Sequence, residues 1–289
     1  MRLGTRGLIL AGMMAGGISG AGEPESRTIV TTFYPMQIAV MNITAGVAGI
    51  RVVNLASPGI GCPHDYQPTT RDLVKLAKAD VVVANGGGME SYLETVARRW
   101  PGKPVIDASV GLSFLCRSGQ TNAHVWLSPA RHIRQVQTIA GGLAAWDPRH
   151  GEAYRQNAAV YVRKLEGVRR DTEEALKDLP RRDIITFHEA FEYFADDYHL
   201  KVVAVIEREP GTEPAAGELA SLIRLIKNRA VKALFIEPQY PAKPAEVIAR
   251  ETGAGLYTLD PVVSGEVSPD AYLRAMGRNA AELKHALGQ

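Results

Sequence analysis

Residues 147–179 read DPRHGEAYRQNAAVYVRKLEGVRRDTEEALKDL and carry the longest helical pattern in the chain. Mostly apolar side chains recur there at spacings of three and four, which places them on one face of a helix. They are Tyr154, Ala158, Tyr161, Leu165, Val168, Thr172, Leu176 and Leu179. Asp147 and Pro148 are typical of an N-cap and a first helical position. The stretch predicts one helix of about 32 residues, roughly 48 Å long, which suits a rigid connection between two lobes.

Short apolar runs alternate with helical patterns on both sides of this segment, which is typical of parallel sheets covered by helices. Before it, the predicted strands are 28–32, 51–55, 80–84 and 104–106, and the predicted helices are 36–45, 70–77, 91–99 and 129–145. After it, the predicted strands are 183–186, 201–205, 233–236 and 256–259, and the predicted helices are 190–197, 214–227, 244–252 and 271–287. A chain of 289 residues also exceeds a usual single core. We therefore expect an α/β protein with a signal peptide (1–21), an N-terminal lobe (22–128), a helical segment (129–179) and a C-terminal lobe (180–289).

The N-terminus has the pattern of an export signal. Arg2 and Arg6 precede a short apolar stretch at 8–18, and the small residues 19–21 follow as a cleavage site. The apolar stretch is shorter than the roughly 20 residues that span a bilayer. No cysteine follows it directly, so the sequence predicts a free periplasmic protein and not a lipid-anchored one.

Composition excludes some partners and leaves the cysteines open. A net charge of +2 with 22% charged residues argues against nucleic acid or an anionic membrane surface, and we expect a monomer. Cys62 and Cys116 are the two cysteines of the chain. A disulfide is favoured in an oxidising compartment, while two free thiols and a thiolate ligand remain as alternatives.

Four polar residues lie after or near the ends of predicted strands, where ligands gather in open α/β sheets. They are His64, His124, His188 and Asp260. Two come from each half of the chain, which suits a site closed between lobes. Three imidazoles and one carboxylate suit zinc, although imidazole also binds copper, nickel and iron.

Around these residues the chain resembles the periplasmic zinc/manganese solute-binding proteins of metal ABC importers. Five segments carry the resemblance: CPHDYQPT at 62–69, NAHVWLSP at 122–129, TFHEAFEYF at 186–194, IEPQY at 236–240 and TLDP at 258–261. The resemblance implies two α/β lobes joined by one long helix, with a metal ion held by residues matching His64, His124, His188 and Asp260. It also implies a partner permease in the inner membrane, and it leaves open whether a metallochaperone loads the site.

Within that family the third ligand position favours zinc. His188 stands there and resembles the zinc type, whereas manganese-type members tend to carry Glu at this position. The segment 237–239 also resembles the zinc type, so Zn²⁺ is expected, with Mn²⁺ or Fe²⁺ as alternatives. The chain departs from many zinc-type relatives because the segment 113–121, just before His124, is short and contains no histidine. The pair Cys62 and Cys116 is a second departure.

Other polar residues receive less specific interpretations. Glu189 is a candidate for a fifth donor or for a group that orients an imidazole, and Asp65 is expected to fix the His64 loop. Glu237 is expected to orient a loop, and His132 and His150 are expected to be solvent-exposed. A periplasmic zinc hydrolase is disfavoured, because a fourth ligand would close the site and the chain has no HExxH motif. A chelate-binding protein is disfavoured too, since three imidazoles and a carboxylate suit a bare ion.

Overall fold

The computed structural model describes residues 26–57, 63–117, 120–206 and 215–288. The predicted signal peptide at 1–21 lies outside these residues, and so does Cys62. In the described part of the chain, no helix is both long and apolar enough to cross a membrane.

The first sheet has four parallel strands in the order β2-β1-β3-β4. They are β1 (Arg27–Thr31), β2 (Ile50–Asn54), β3 (Val81–Ala84) and β4 (Val105–Asp107), and the helices among them are α1 (Tyr34–Ile43), α2 (Thr70–Lys78) and α3 (Leu93–Arg99). Strand β3 is buried along its whole length, as a Val-rich strand covered on both faces should be.

Between the first sheet and α4 the chain forms a short antiparallel hairpin of β5 (Cys116–Arg117) and β6 (Gln120–Thr121). The sequence predicts only a loop there. Strands of two residues give no periodic signal, which explains the omission.

The second sheet is also parallel, with the order β10-β9-β7-β8. Its strands are β7 (Asp183–Thr186), β8 (Lys201–Val205), β9 (Ala233–Ile236) and β10 (Gly255–Thr258), and its helices are α6 (Glu192–Asp197), α7 (Ala216–Arg229), α8 (Lys243–Thr252) and α9 (Ala271–Leu287). Counted from its own first strand, each sheet has the order 2-1-3-4, so the two lobes share one topology.

Two long helices lie between the sheets in the sequence, α4 (Pro129–Trp146) and α5 (Gly151–Leu176). Helix α5 has 26 residues, so the prediction of about 32 is wrong in length. The carboxylate of Asp147 accepts hydrogen bonds from His150 and Tyr154, and residues Pro148–His150 form a separate 3₁₀ turn before α5 begins. The predicted buried face of α5 is present, and the helix packs against α1, α4 and α9, linking the lobes.

One hydrophobic core runs through both lobes. It includes Ile29 of β1, Leu143 of α4, Leu165 of α5, Phe235 of β9 and Tyr272 of α9, all essentially inaccessible to solvent. The lobes are therefore packed against a common set of helices.

Candidate metal centre

Three histidines from distant parts of the sequence meet at one point. His64 lies in a 3₁₀ turn (Pro63–Asp65) after β2, His124 lies in the loop before α4, and His188 follows β7 directly. One nitrogen from each ring lies within 4.8 Å of the others. Helices cover the faces of each sheet, so the carboxyl ends of the strands are where such side chains can converge.

The spacing of the rings fits a single ion. Ring centroids are 4.9 Å apart for His64 and His124, 5.0 Å for His124 and His188, and 6.4 Å for His64 and His188. The Nε2 atoms of His124 and His188 are 3.3 Å apart. Two nitrogens bound to one tetrahedral zinc at 2.0–2.1 Å would be about 3.3 Å apart, so this pair already has the separation of two ligands.

Burial keeps the His124 ring in the form that binds metal. His124 and His188 are buried, and His64 is half-buried. Desolvation lowers the pKa of His124 well below its usual value, and charge on His188 and His64 lowers it further. A neutral imidazole has a lone pair available for an ion, whereas a protonated one does not.

Asn122 sets the orientation of His124. Its Oδ1 accepts hydrogen bonds from the backbone N–H of His124 at 2.9 Å and from ring Nδ1 at 2.8 Å. A carbonyl oxygen can only accept, so Nδ1 carries the proton and Nε2 keeps its lone pair. The Nδ2 of Asn122 donates to the backbone oxygen of Glu189 at 2.9 Å and to Oε2 of Glu192 at 3.2 Å. Sequence reasoning missed this residue, although an Asn two positions before a loop His is a signal for such a local bond.

The loop that carries His124 is also tied to the second lobe through Tyr193. Its hydroxyl donates to the backbone oxygen of Asn122 at 2.6 Å and accepts from the backbone N–H of Leu115 at 2.9 Å. The guanidinium of Arg131 lies 4.7 Å from the centre of the Tyr193 ring and pairs with Asp197 at 2.9 Å. These contacts connect the His124 loop and the start of α4 with helix α6 of the second lobe.

A buried polar network lies beneath the same loop. Asn85 donates to the backbone oxygen of Ala123 at 2.9 Å and accepts from Gln135 at 2.9 Å. Gln135 Oε1 in turn lies 3.1 Å from Nδ1 of His132, whose ring stacks on Tyr272 at 4.3 Å.

The expected exposure of His132 is wrong, because His132 is fully buried. It lies on the buried face of α4 with Ile133 and Val136, and Gln135 one turn away supplies its partner. Burial lowers the pKa of His132 to about 4. His150 is half-buried and pairs with Asp147.

Asp260 is placed differently from the histidines. Its carboxylate is not among the ligand atoms that lie within 4.8 Å of one another in the described residues. Its Oδ1 accepts from the backbone N–H of Val262 at 2.8 Å, and its Oδ2 pairs with Arg278 at 3.0 Å. Asn279 binds both the N–H and the C=O of Asp260, each at 2.8 Å. The structure therefore fixes the main chain of Asp260 and gives its carboxylate other partners.

The turn after Asp260 is strained. Val262 has a φ of 59°, which is unfavourable for a β-branched residue, and it is buried. Trp126 donates from Nε1 to the backbone oxygen of Pro261 at 2.9 Å. This bond joins the turn to the loop that carries His124.

Of the remaining candidates, Glu237 lies at the end of β9 and is fully buried. Burial raises its pKa to about 8, while hydrogen bonds from Gln239 and from the backbone amide of His188 act in the opposite direction. Glu237 thus contacts the backbone that carries His188, in keeping with a role in orienting a loop. Glu189 is half-buried, and its backbone oxygen accepts the bond from Asn122. The side chain of Asp65 lies outside the described part.

Two parallel-sheet lobes linked by a long helix, with imidazoles converging from both, define a metal-binding solute-binding protein. The chain belongs to the family of the periplasmic zinc-uptake complex component A proteins (ZnuA), whose sequence model matches residues 29–286.

Individual relatives bind different metals. The iron-binding protein YfeA of Yersinia pestis is 30% identical over an alignment of 272 positions, and the alignment covers 90% of this chain and 86% of that protein. The zinc-binding protein AdcA of Streptococcus pyogenes serotype M1 is 31% identical over an alignment of 262 positions, and the alignment covers 81% of this chain and 50% of that protein. The chain thus spans about half the length of AdcA.

Solved structures agree with the fold. The solute-binding protein FpvC of Pseudomonas aeruginosa, in complex with Mn²⁺, superposes with a TM-score of 0.82 at 33% identity, covering 90% of this chain and 98% of that one. A crystal structure of ZnuA superposes with a TM-score of 0.81 at 33% identity, covering 90% and 99%. These relatives are metal-binding proteins and not enzymes, as expected for this chain.

Proposed function

We propose that this chain is the periplasmic substrate-binding component of a zinc importer of the ABC type. It captures Zn²⁺ between its lobes through His64, His124 and His188, with Asp260 as the fourth ligand, and delivers the ion to a permease in the inner membrane. The observation that carries the proposal is the convergence of three ring nitrogens within 4.8 Å, two of them already at the separation of ligands on one ion.

The donor set supports zinc over manganese. Nitrogen donors suit Zn²⁺, whereas Mn²⁺ prefers carboxylate, carbonyl and water oxygens. The family is named for zinc uptake, while YfeA is named for iron and FpvC binds Mn²⁺ in its crystal structure. The ligand chemistry of this chain is therefore the argument for zinc.

Transport is favoured over hydrolysis by the same site. A catalytic zinc usually keeps three protein ligands and an open position for water. Movement of the Asp260 carboxylate onto the ion would fill that position. The function then consists of binding and release, and the permease follows from membership of an uptake complex.

The test is the metal content of the purified protein, measured by mass spectrometry after reconstitution with Zn²⁺, Mn²⁺, Fe²⁺ and Ni²⁺ in competition. We expect about one zinc per chain, retained after gel filtration, and loss of that zinc in His188→Ala. The control is His199→Asn, which removes an exposed imidazole of the same lobe. Asparagine tolerates the positive φ of 57° at this position.

Two outcomes would contradict the proposal. Preferential retention of manganese or iron would overturn the choice of zinc. Absence of bound metal after reconstitution would overturn the function itself.

A further inference from the structure

The ion pair between Asp260 and Arg278 lies between two cavities. One, of about 240 Å³, is lined by both residues together with Tyr34, Glu266 and Arg274. The other, of about 530 Å³, is lined by both residues together with Pro238, Thr258 and Asn279. Asp260 therefore borders open space on two sides, and rotation of its side chain breaks the bond from the Val262 amide to Oδ1 and the contact of Oδ2 with Arg278.

The main chain at this point cannot follow such a rotation. Asn279 is buried and holds the N–H and the C=O of Asp260 at once. The backbone oxygen of Pro261 is held by Trp126. Any change in what the carboxylate binds must then come from the side chain alone.

Of the two partners that the carboxylate would leave, the Val262 amide and Arg278, the second is weakly held. The Arg278 side chain is 63% exposed and that of Asp260 is 20% exposed, and exposed ion pairs contribute little because water screens them. Arg278 makes this contact through Nη2 at 3.0 Å. A divalent ion held by three imidazoles is a stronger competitor for a carboxylate than a solvated guanidinium.

We propose that Arg278 is a specificity-determining residue that competes with the incoming ion for the Asp260 carboxylate. This inference rests on the proposed function and assigns Arg278 a role in that same site. While Arg278 holds the carboxylate, the three imidazoles alone meet the ion. Every ion loses some affinity to this competition, but an ion that depends on oxygen donors loses more than one that is satisfied by nitrogen. Arg278 thus favours zinc over manganese.

The experiment compares Arg278→Ala with Arg274→Ala. Arg274 is exposed, lies one turn earlier on α9, lines the same cavity and carries the same charge, but it bonds to Ser268 instead of Asp260. Dissociation constants for Zn²⁺ and Mn²⁺ are measured by competition with a chromophoric chelator. We expect Arg278→Ala to bind Mn²⁺ about two- to fivefold more tightly than Arg274→Ala, with a smaller gain for Zn²⁺.

A double-mutant cycle with Asp260→Asn isolates the pair. The gain from Arg278→Ala should disappear in the Asp260→Asn background, where no charged carboxylate remains to compete for. Weaker metal binding in Arg278→Ala would make Arg278 a supporting partner of the bound carboxylate and would overturn the proposal. Equal effects of the two arginine variants would show that the change comes from the loss of positive charge in general. That result would also overturn the proposal.

These outcomes are separate from failure of the proposed function. If the wild-type protein binds zinc and His188→Ala does not, the function stands whatever Arg278 does. If the wild-type protein binds no metal, both proposals fail together.

Discussion

The His124 loop and the Asp260 turn are joined by one hydrogen bond, from Trp126 to Pro261, yet they hold their candidate ligands in opposite ways. At His124 the ring itself is fixed, because buried Asn122 binds both its Nδ1 and its backbone N–H. At Asp260 the backbone is fixed by buried Asn279, while the carboxylate accepts from the Val262 amide on one oxygen and pairs with an exposed arginine through the other. One region fixes its ligand through a buried side chain, and the other leaves one oxygen of its ligand on an exposed partner.

This difference separates two tasks of a binding site. On the proposed function, an imidazole held as His124 is supplies more of the affinity, because it loses little freedom when the ion arrives. An exchangeable carboxylate adjusts that affinity without disturbing the fold. The comparison predicts that changes on the His124 side have larger effects than changes on the Asp260 side.

The largest expected effect is the difference in zinc affinity between His188→Ala and Asp260→Asn. Removing an imidazole should weaken zinc binding about a hundred- to a thousandfold, since a structural zinc site gains on the order of 10–16 kcal/mol from about four ligands. Removing the charge of Asp260 should cost about tenfold or less, because it also ends the competition with Arg278. Competition titration with a chromophoric chelator measures both, and similar losses would break the comparison.

The network beneath the His124 loop predicts a pH dependence of stability. The pKa of His132 is about 4 in the fold and about 6.5 in an unfolded chain, so the unfolded state binds more protons between these values. The stability that neutral His132 contributes is complete above about pH 6.5 and is lost as the pH falls toward 4. Between about pH 7.5 and pH 5 the loss attributable to His132 should be about 2 kcal/mol.

Urea unfolding of the metal-free protein at several pH values measures this slope. His132→Asn keeps an N–H donor near the position of Nδ1 and cannot titrate, so its slope should be smaller by that amount. Asn157→Ala should keep the wild-type slope, because it removes no titratable group. An unchanged slope in His132→Asn would show that His132 does not titrate as its burial requires.

A smaller effect is expected from Asn122→Ala, which leaves all the candidate ligands in place. Loss of the partner that orients His124 should weaken zinc binding about ten- to a hundredfold, the usual cost of removing such a group from a metal site. Asn157→Ala is the matched control, since the Asn157 amide likewise donates two hydrogen bonds, to the backbone oxygens of Ile43 and Ala45, on another face. If both variants bind zinc equally well, the fixed ring is not what distinguishes the two regions.

Local sequence pattern predicts much of the fold. Strands β7, β8 and β9 and helix α9 begin and end at the predicted residues, because Val- and Ile-rich runs and a long amphipathic repeat have little competing interpretation. Helix α5 is shorter than predicted at both ends. Hydrogen bonds to Asp147 favour a separate turn at its start, and at its end Arg182 donates to the backbone oxygens of Leu176 and Lys177. Such side-chain contacts lie outside the periodic pattern.

Part of the candidate metal site can be predicted from the sequence in the same way. The positions of His64, His124 and His188 near strand ends, together with the resemblance, indicate residues that the structure brings together. The supporting contacts were not visible, because Asn85 meets Ala123 across 38 positions and Arg278 meets Asp260 across 18. Ligation by Asp260 stays a prediction, which the cycle with Arg278 examines.

The common core has a mechanical consequence. Because Ile29, Leu165 and Phe235 belong to one buried cluster, swinging the lobes apart would expose apolar surface along α5 and α9 to water. A clamshell motion is therefore costly, whereas rearrangement of the two short loops around the ion leaves that core intact. On the proposed function, the rate at which the ion leaves is then set by the loops at 122–128 and 259–263, and a permease would have to displace only those loops.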